Sequence, residues 1–360
     1  MTIKSKMIGM IAGGVTALAG SVASAQDLAG KTVEFVIPFS ESGGSARWAN
    51  FYAPLLSEAL PGNPTVVVRY RPGAGSTEGA NWFQEQTTND GTLVFGTSGS
   101  TQFPYLLGDP RVRYEYADWQ PVLASGTGGV VFLPPDLGAK FDGDFDDLKE
   151  EFFLYGSQGA TTLDLVPLLA FQMLGLQVDP VFGIEGRGDG RLMFERGEAN
   201  IDYQTSSAYL KSVVPLVEQG LAVPAFTFGS LDENGVIARD PTFPDLPSFR
   251  EVCEATAACE VDGVAWDAWK AFFISGFAAQ KMVYLPGSAP QEVVDMYAQA
   301  FRDIIARPDF MQLAAAELGV YPQLTGEAGK SASDQATKVT PEAKAFVLDW
   351  LKEAYGVSMQ

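Results

Sequence analysis

The stretch VEFVIPFSESGGSARWANF, Val33–Phe51, passes through three kinds of pattern in turn. VEFVIPF is β-branched and aromatic, the composition of a buried strand. SESGG is small and polar, the composition of a turn. SARWANFYAPLLSEAL then carries a helical period, with Trp48, Tyr52, Leu56 and Leu60 on one face and Ser45 as the expected N-cap. Pro54 lies inside that helix and is expected to kink it or end its first part. A strand that runs through a glycine turn straight into a helix is the repeating unit of α/β sheets, whose ligands bind at the carboxyl ends of the strands. One residue resists this pattern. Arg47 stands in the first helical turn, where a cation opposes the positive end of the helix dipole. It therefore needs either an acidic neighbour, Glu41 or Glu78, or a bound anion.

The same unit recurs along the chain. PTVVVRY reads as a second strand, TEGANWFQEQT as a helix with Ala80, Trp82 and Phe83 as burial candidates, and TLVFGTSGST as a third strand ending in a Gly-Ser turn. A second series begins near Gly128–Asp136 (GGVVFLPPD) and continues through EFFLYGSQGATTLDLVPLLAFQMLG, where Thr161 or Thr162 can cap the helix. PVFGIEGRGDGRLMFERGEANIDYQTSS follows as strand, turn, helix and strand. The last third returns to helices, including APQEVVDMYAQAFRDIIARP and a Thr340-capped TPEAKAFVLDWLKEAYG.

Bulk properties narrow the function. Residues 1–25 combine Lys4 and Lys6, an apolar run from Met7 to about Ala19, and Ala23-Ser24-Ala25, the three parts of a cleaved export signal. The apolar run is shorter than the ~20 residues of a spanning helix. Cleavage removes two of 24 Lys+Arg and none of 44 Asp+Glu, leaving 22 against 44 and a net charge of −22. Such a chain repels nucleic acid and anionic lipid, so it can hold an anion only by a local device. The remaining length suggests two domains. An exported chain meets an oxidising compartment, where Cys253 and Cys259 are expected to form a short-loop disulfide.

The chain contains no histidine, which excludes Ser-His-Asp and Cys-His nucleophile systems and histidine-bearing metal sites. In TGEAGKSAS, Leu324 stands where a phosphate loop needs its first glycine. In DGDFDD, Asp147 and Phe153 occupy the glycine and glutamate positions of a calcium loop. GRGDGR has Arg191 in place of a third glycine and no nucleotide context. No catalytic, metal or cofactor site is expected.

Taken in order, the turns resemble those of the Bug/TctC substrate-binding proteins of tripartite tricarboxylate transporters. VIPFSESGGSAR resembles the family's Pro-aromatic, Gly-Gly motif, and RYRPGAGSTEGA its Asn-Arg-Pro-Gly-Ala-Gly segment. NDGTLVFGTSG, LYGSQGATT, FPDLPSFREV and LPGSAPQEVVDMY resemble its later turns, so the likeness runs from about Lys31 to Tyr321. The resemblance implies an α/β fold of the two-lobed periplasmic binding protein type (type II-like). Each lobe would be a mixed, mostly parallel sheet flanked by helices, with the ligand in the interlobe cleft. Lobe one would comprise residues 27–127 and 229–360, lobe two residues 128–228.

It further implies a periplasmic, monomeric protein that captures a small organic carboxylate and presents it to integral-membrane transporter subunits. A ligand sensor that shows its closed form to a signalling receptor is the alternative. Ligand contacts would come from Ser42, Gly43, Gly44 and Ser45, from Thr97, Ser98 and Gly99, and across the cleft from Ser157, Gln158, Gly159, Ala160 and Thr161. Asp202 matches a family aspartate at the end of a strand. Two departures alter the charge of cleft turns: Arg47 stands where aspartate is common, and PVFGIEGRGDG replaces a segment reading like His-Val-Pro-Tyr-Lys-Gly. Arg47 and Arg187 are thus candidate carboxylate ligands, each with a plain structural or solvated alternative. Phe39, Trp48, Phe103, Tyr155 and Tyr203 are either core or a stacking surface for an aromatic acid.

Overall fold

A computed structural model describes residues 27–232 and 235–359; the expected export signal lies outside the described residues. The opening strand is β1 (Thr32–Ile37) and the helix after it α1 (Gly44–Ala59). β2 (Thr65–Tyr70), α2 (Thr77–Gln84), β3 (Leu93–Gly96), α3 (Gly99–Leu107) and β4 (Gln120–Ser125) follow. The chain then builds β5 (Gly129–Leu133), the one-turn α4 (Pro135–Gly138), β6 (Phe152–Ser157), α5 (Leu165–Met173), β7 (Gln177–Phe182), α6 (Arg187–Glu195), β8 (Asp202–Thr205) and β9 (Val223–Thr227). A small hairpin, β10 (Ser230–Leu231) with β11 (Ile237–Ala238), precedes β12 (Lys281–Leu285) and β13 (Gln323–Leu324).

These strands separate into two bodies. The first holds a six-stranded sheet in the order β13-β4-β12-β3-β1-β2, with β1 parallel to both β2 and β3 and β12 antiparallel to β3 and β4. The second holds the antiparallel set β8-β5-β9 and the parallel pair β6-β7. The chain leaves the first sheet at Ser125 and enters the second at Gly129, and leaves the second after Thr227. Helices Gly263–Phe273 and Pro341–Tyr355, in the stretch 229–360 expected in lobe one, pack in one apolar cluster with α3 of the first body and with α5 and β6 of the second.

Local differences from expectation have simple causes. α1 takes Gly43, not Ser45, as N-cap, because Gly43 is the last extended residue before helical geometry begins. It runs unbroken through Pro54, which sits on the exposed side of the helix. α5 begins only at Leu165, so neither Thr161 nor Thr162 caps it; Thr162 instead closes the preceding turn by donating to Gly159 O at 2.7 Å. The Cys253–Cys259 disulfide is formed. Phe39, Trp48, Phe103, Tyr155 and Tyr203 are all buried, Trp48 packing edge-on against Phe35 and Tyr52.

Candidate functional site

The carboxyl ends of β1, β3, β6 and β7 lead into α1, α3, α5 and α6, and the starts of α1, α3 and α6 meet around a cavity of about 20 Å³ between the two sheets. The bodies touch there nearly backbone to backbone. A Cβ on Gly44 would fall 2.2 Å from Thr205 Oγ1, and one on Gly188 would fall 2.5 Å from the Ser42 carbonyl, so any side chain would hold the bodies apart. Ser207 Oγ donates to Gly44 O at 3.3 Å, and Ser42 Oγ to Asp189 Oδ1 at 3.2 Å, across the same seam.

The expected contacts divide. Gly43, Gly44, Ser45, Ser98, Gln158 and Arg187 line the cavity. At α1 no side chain caps the first turn, and the first intrahelical bond is Arg47 N to Gly43 O, so the amides of Gly44, Ser45 and Ala46 stand open. At α3 the start is already satisfied: Ser98 Oγ accepts from Ser100 N at 3.2 Å and Thr101 Oγ1 accepts from Ser98 N at 3.3 Å. Thr97 donates its amide to Met282 O in the sheet, and Gly99 packs behind Leu163, which lines the cavity in its place. Ser42 faces α6.

The second-body turn is likewise occupied. Asp164 Oδ2 accepts from Ser157 Oγ at 2.9 Å and from Gln158 N at 2.7 Å, while Ser157 Oγ accepts from Gly159 N at 3.1 Å. Gly159, Ala160 and Thr161 line a separate, open groove of about 630 Å³ with Gly73–Gly75 and Arg111. Among the described residues only Gln158 reaches both spaces.

Both arginines are engaged by partners within the chain. Arg187 is 5 % exposed, and its guanidinium pairs with both Asp164 (3.3 Å) and Asp202 while donating to Gly156 O and Tyr203 O. The Tyr155 and Tyr203 rings lie 4.9 and 4.7 Å from its centre, so these aromatics clamp an ion pair rather than a ligand. Burial works to lower the Arg187 pKa, but Asp164 and Asp202 outweigh it and raise it. One guanidinium between two carboxylates leaves one of them uncompensated. Burial accordingly pushes the Asp202 carboxyl up to about 7 against the pull of Arg187. Asp202 is an inner partner of this cluster and does not line the cavity. Arg47 turns outward: its Nη2 donates to Ser212 Oγ at 2.7 Å, and the residue borders an outer groove with Leu313 and Glu317. Its partner is neither Glu41 nor Glu78.

The second cation of the cavity lining is Lys281, at the start of β12. It is 3 % exposed, and its Nζ donates to Ser45 Oγ at 3.2 Å, in the first turn of α1. Among the described residues it makes no salt bridge, and burial alone draws its pKa from 10.5 down to about 7. Around it Gln158 Nε2, Arg187 Nε, Thr205 Oγ1 and Gln280 Oε1 are buried without a hydrogen-bond partner. Sequence reasoning missed Lys281, although a lysine heading the apolar run KMVYL is an available signal. A buried ammonium, four unmet polar atoms and an uncapped helix start, all at one point between two bodies, form a site for a small anion.

Among solved structures the chain superposes on the periplasmic binding protein BugD with a TM-score of 0.66 at 18 % identity, covering 91 % of this chain and 99 % of BugD. It has the fold of the Bug/TctC solute-binding proteins. MatC from Rhodopseudomonas palustris with bound malate matches at a TM-score of 0.64 and 15 % identity, over 88 % of this chain and 99 % of MatC. An R. palustris protein with adipate matches at 0.66 and 16 %, over 92 % and 99 %. No protein-family model and no curated protein matches the chain. Among the described residues no helix is long and apolar enough to cross a membrane.

Proposed function

We propose that the protein is a periplasmic solute-binding protein of the Bug/TctC type that captures a small organic carboxylate and delivers it to a tripartite tricarboxylate-type membrane transporter. The observation that carries this reading is Lys281, a buried ammonium without a carboxylate partner, set against the open start of α1 in the interlobe cavity. A ligand carboxylate supplies the missing charge and accepts from the free amides. Malate and adipate in structures of the same fold support the ligand class.

No covalent step is involved. Binding energy is converted to closure of the lobes, and the closed form is what the transporter recognises. We divide the chain at its two crossings between sheets, near Gly126–Gly128 and after Thr227, with the helices Gly263–Phe273 and Pro341–Tyr355 lending support to the second lobe. The reading is tested by thermal unfolding in the presence of mono-, di-, tri- and aromatic carboxylates, since a ligand that binds only the folded state raises the transition by mass action. A series in which no acid moves the transition defeats it. Delivery is tested by ligand uptake in cells with and without the gene; equal uptake by both refutes the transport role.

A further inference from the structure

Resting on the carboxylate reading above, we propose that the cleft selects a small hydroxymonocarboxylate, its single carboxylate seated between Lys281 and the open start of α1. The charge inventory of the cavity leads there. Three helix starts converge on it, and each positive dipole end is an anion site unless it is already met. α3 is closed by Ser98 and Thr101. α6 carries Asp189 in its first turn, whose Oδ2 accepts from Gly186 N at 2.9 Å, so that end has its own carboxylate. α1 has neither an acidic residue in its first turn nor a side-chain cap.

The two cations of the lining divide in the same way. Arg187 is committed to Asp164 and Asp202. Lys281 is free of any ion pair among the described residues and points at Ser45, the second residue of α1. The open helix start and the free ammonium therefore coincide, and they make one anion site. A second ligand carboxylate entering this cavity meets neutral groups and the Nε of Arg187, whose guanidinium already sits between two carboxylates, so it finds no free positive charge, and burying an unpaired carboxylate is costly.

The neutral groups specify the rest. Gln158 Nε2 can only donate, Thr205 Oγ1 can do either, and Gln280 Oε1 can only accept. A ligand that satisfies Gln280 must bring a donor, and a hydroxyl is the small group that both donates and accepts.

The test is titration calorimetry of the full exported protein at about pH 6, in a buffer free of carboxylates, with 2-hydroxybutyrate, malate, butyrate and succinate. Malate differs from 2-hydroxybutyrate by a carboxylate in place of a methyl, and butyrate by loss of the hydroxyl. Binding of 2-hydroxybutyrate at least about tenfold tighter than of malate or of butyrate is expected. Lys281→Met is expected to weaken it by roughly a hundredfold or more. Malate binding as tightly as 2-hydroxybutyrate overturns the proposal, as does a folded Lys281→Met protein with unchanged affinity. If that variant does not fold, the wild-type comparison decides alone. Carboxylates that bind in the wrong order sink only the charge count, whereas four acids that all fail to bind sink the carboxylate reading with it.

Discussion

Replacing Lys281 by methionine makes the ligand-free protein more stable, and by an amount that depends on pH. The ordinary lysine pKa of 10.5 is drawn down to about 7 by burial. Each tenfold change in acidity is worth ~1.4 kcal/mol, so keeping the ammonium charged in the folded state costs on the order of 4–5 kcal/mol. The sign follows from counting protons. Between pH 7 and about 10.5 the unfolded chain holds the lysine proton and the folded chain does not, so wild-type stability rises with pH across that window. Below pH 7 both states are protonated and the whole cost is present. Methionine fills a similar volume with no charge. The variant therefore exceeds wild type by about 4–5 kcal/mol near pH 6, and the margin shrinks by ~1.4 kcal/mol per pH unit above pH 7. Urea unfolding of both proteins at several pH values between 5.5 and 9.5, in buffers without carboxylates, measures the difference while other titrations cancel. A margin independent of pH, or a variant less stable than wild type at pH 6, refutes the account of Lys281 as an uncompensated buried charge.

Three further outcomes are expected. Carboxylate affinity falls about tenfold per pH unit above pH 7, because only the protonated Lys281 pairs with the anion and the other cation of the lining, Arg187, stays charged; calorimetry at pH 6, 8 and 9 that gives equal affinities contradicts it. Arg187→Met destabilises the protein by about 3–5 kcal/mol, since Asp164 and Asp202 lose their shared partner inside the second lobe, and adding Asp202→Asn recovers part of the loss; a loss below ~1 kcal/mol in urea unfolding speaks against the cluster. Arg47→Ala changes carboxylate affinity by less than about threefold, because that side chain bonds Ser212 outside the cavity, and a large loss in calorimetry returns Arg47 to the ligand site.

The fold was legible because its signals are local. A strand, a glycine turn and a helix succeed one another within Val33–Phe51, and the same order at Gly156–Gly159 and Gly183–Gly190 marks the second lobe. Several lining residues, Gly43, Gly44, Ser45, Ser98 and Gln158 among them, were named by the resemblance of such turns to those of a known family. What could not be read was which charges the site contains. Arg187 finds its carboxylates on the turn before α5 and at the start of β8, and nothing in the glycine-flanked GRGDGR announces either. Lys281 meets Ser45 across 236 positions of sequence, because β12 returns late to pair with β3 beside β1. Pairings of that range depend on topology, and pattern in a short window does not carry them.

The close approach of Gly44 to Thr205 and of Gly188 to Ser42 gives the lobes a mechanical stop. Main chain meets main chain or a short hydroxyl there, so the approach of the two bodies in this structure is limited by the protein's own atoms. A graded series of ligands would then alter how often the jaws are shut, while the shut shape stays the same. Under the delivery role proposed above, closure of this kind would act as a switch rather than as a gauge.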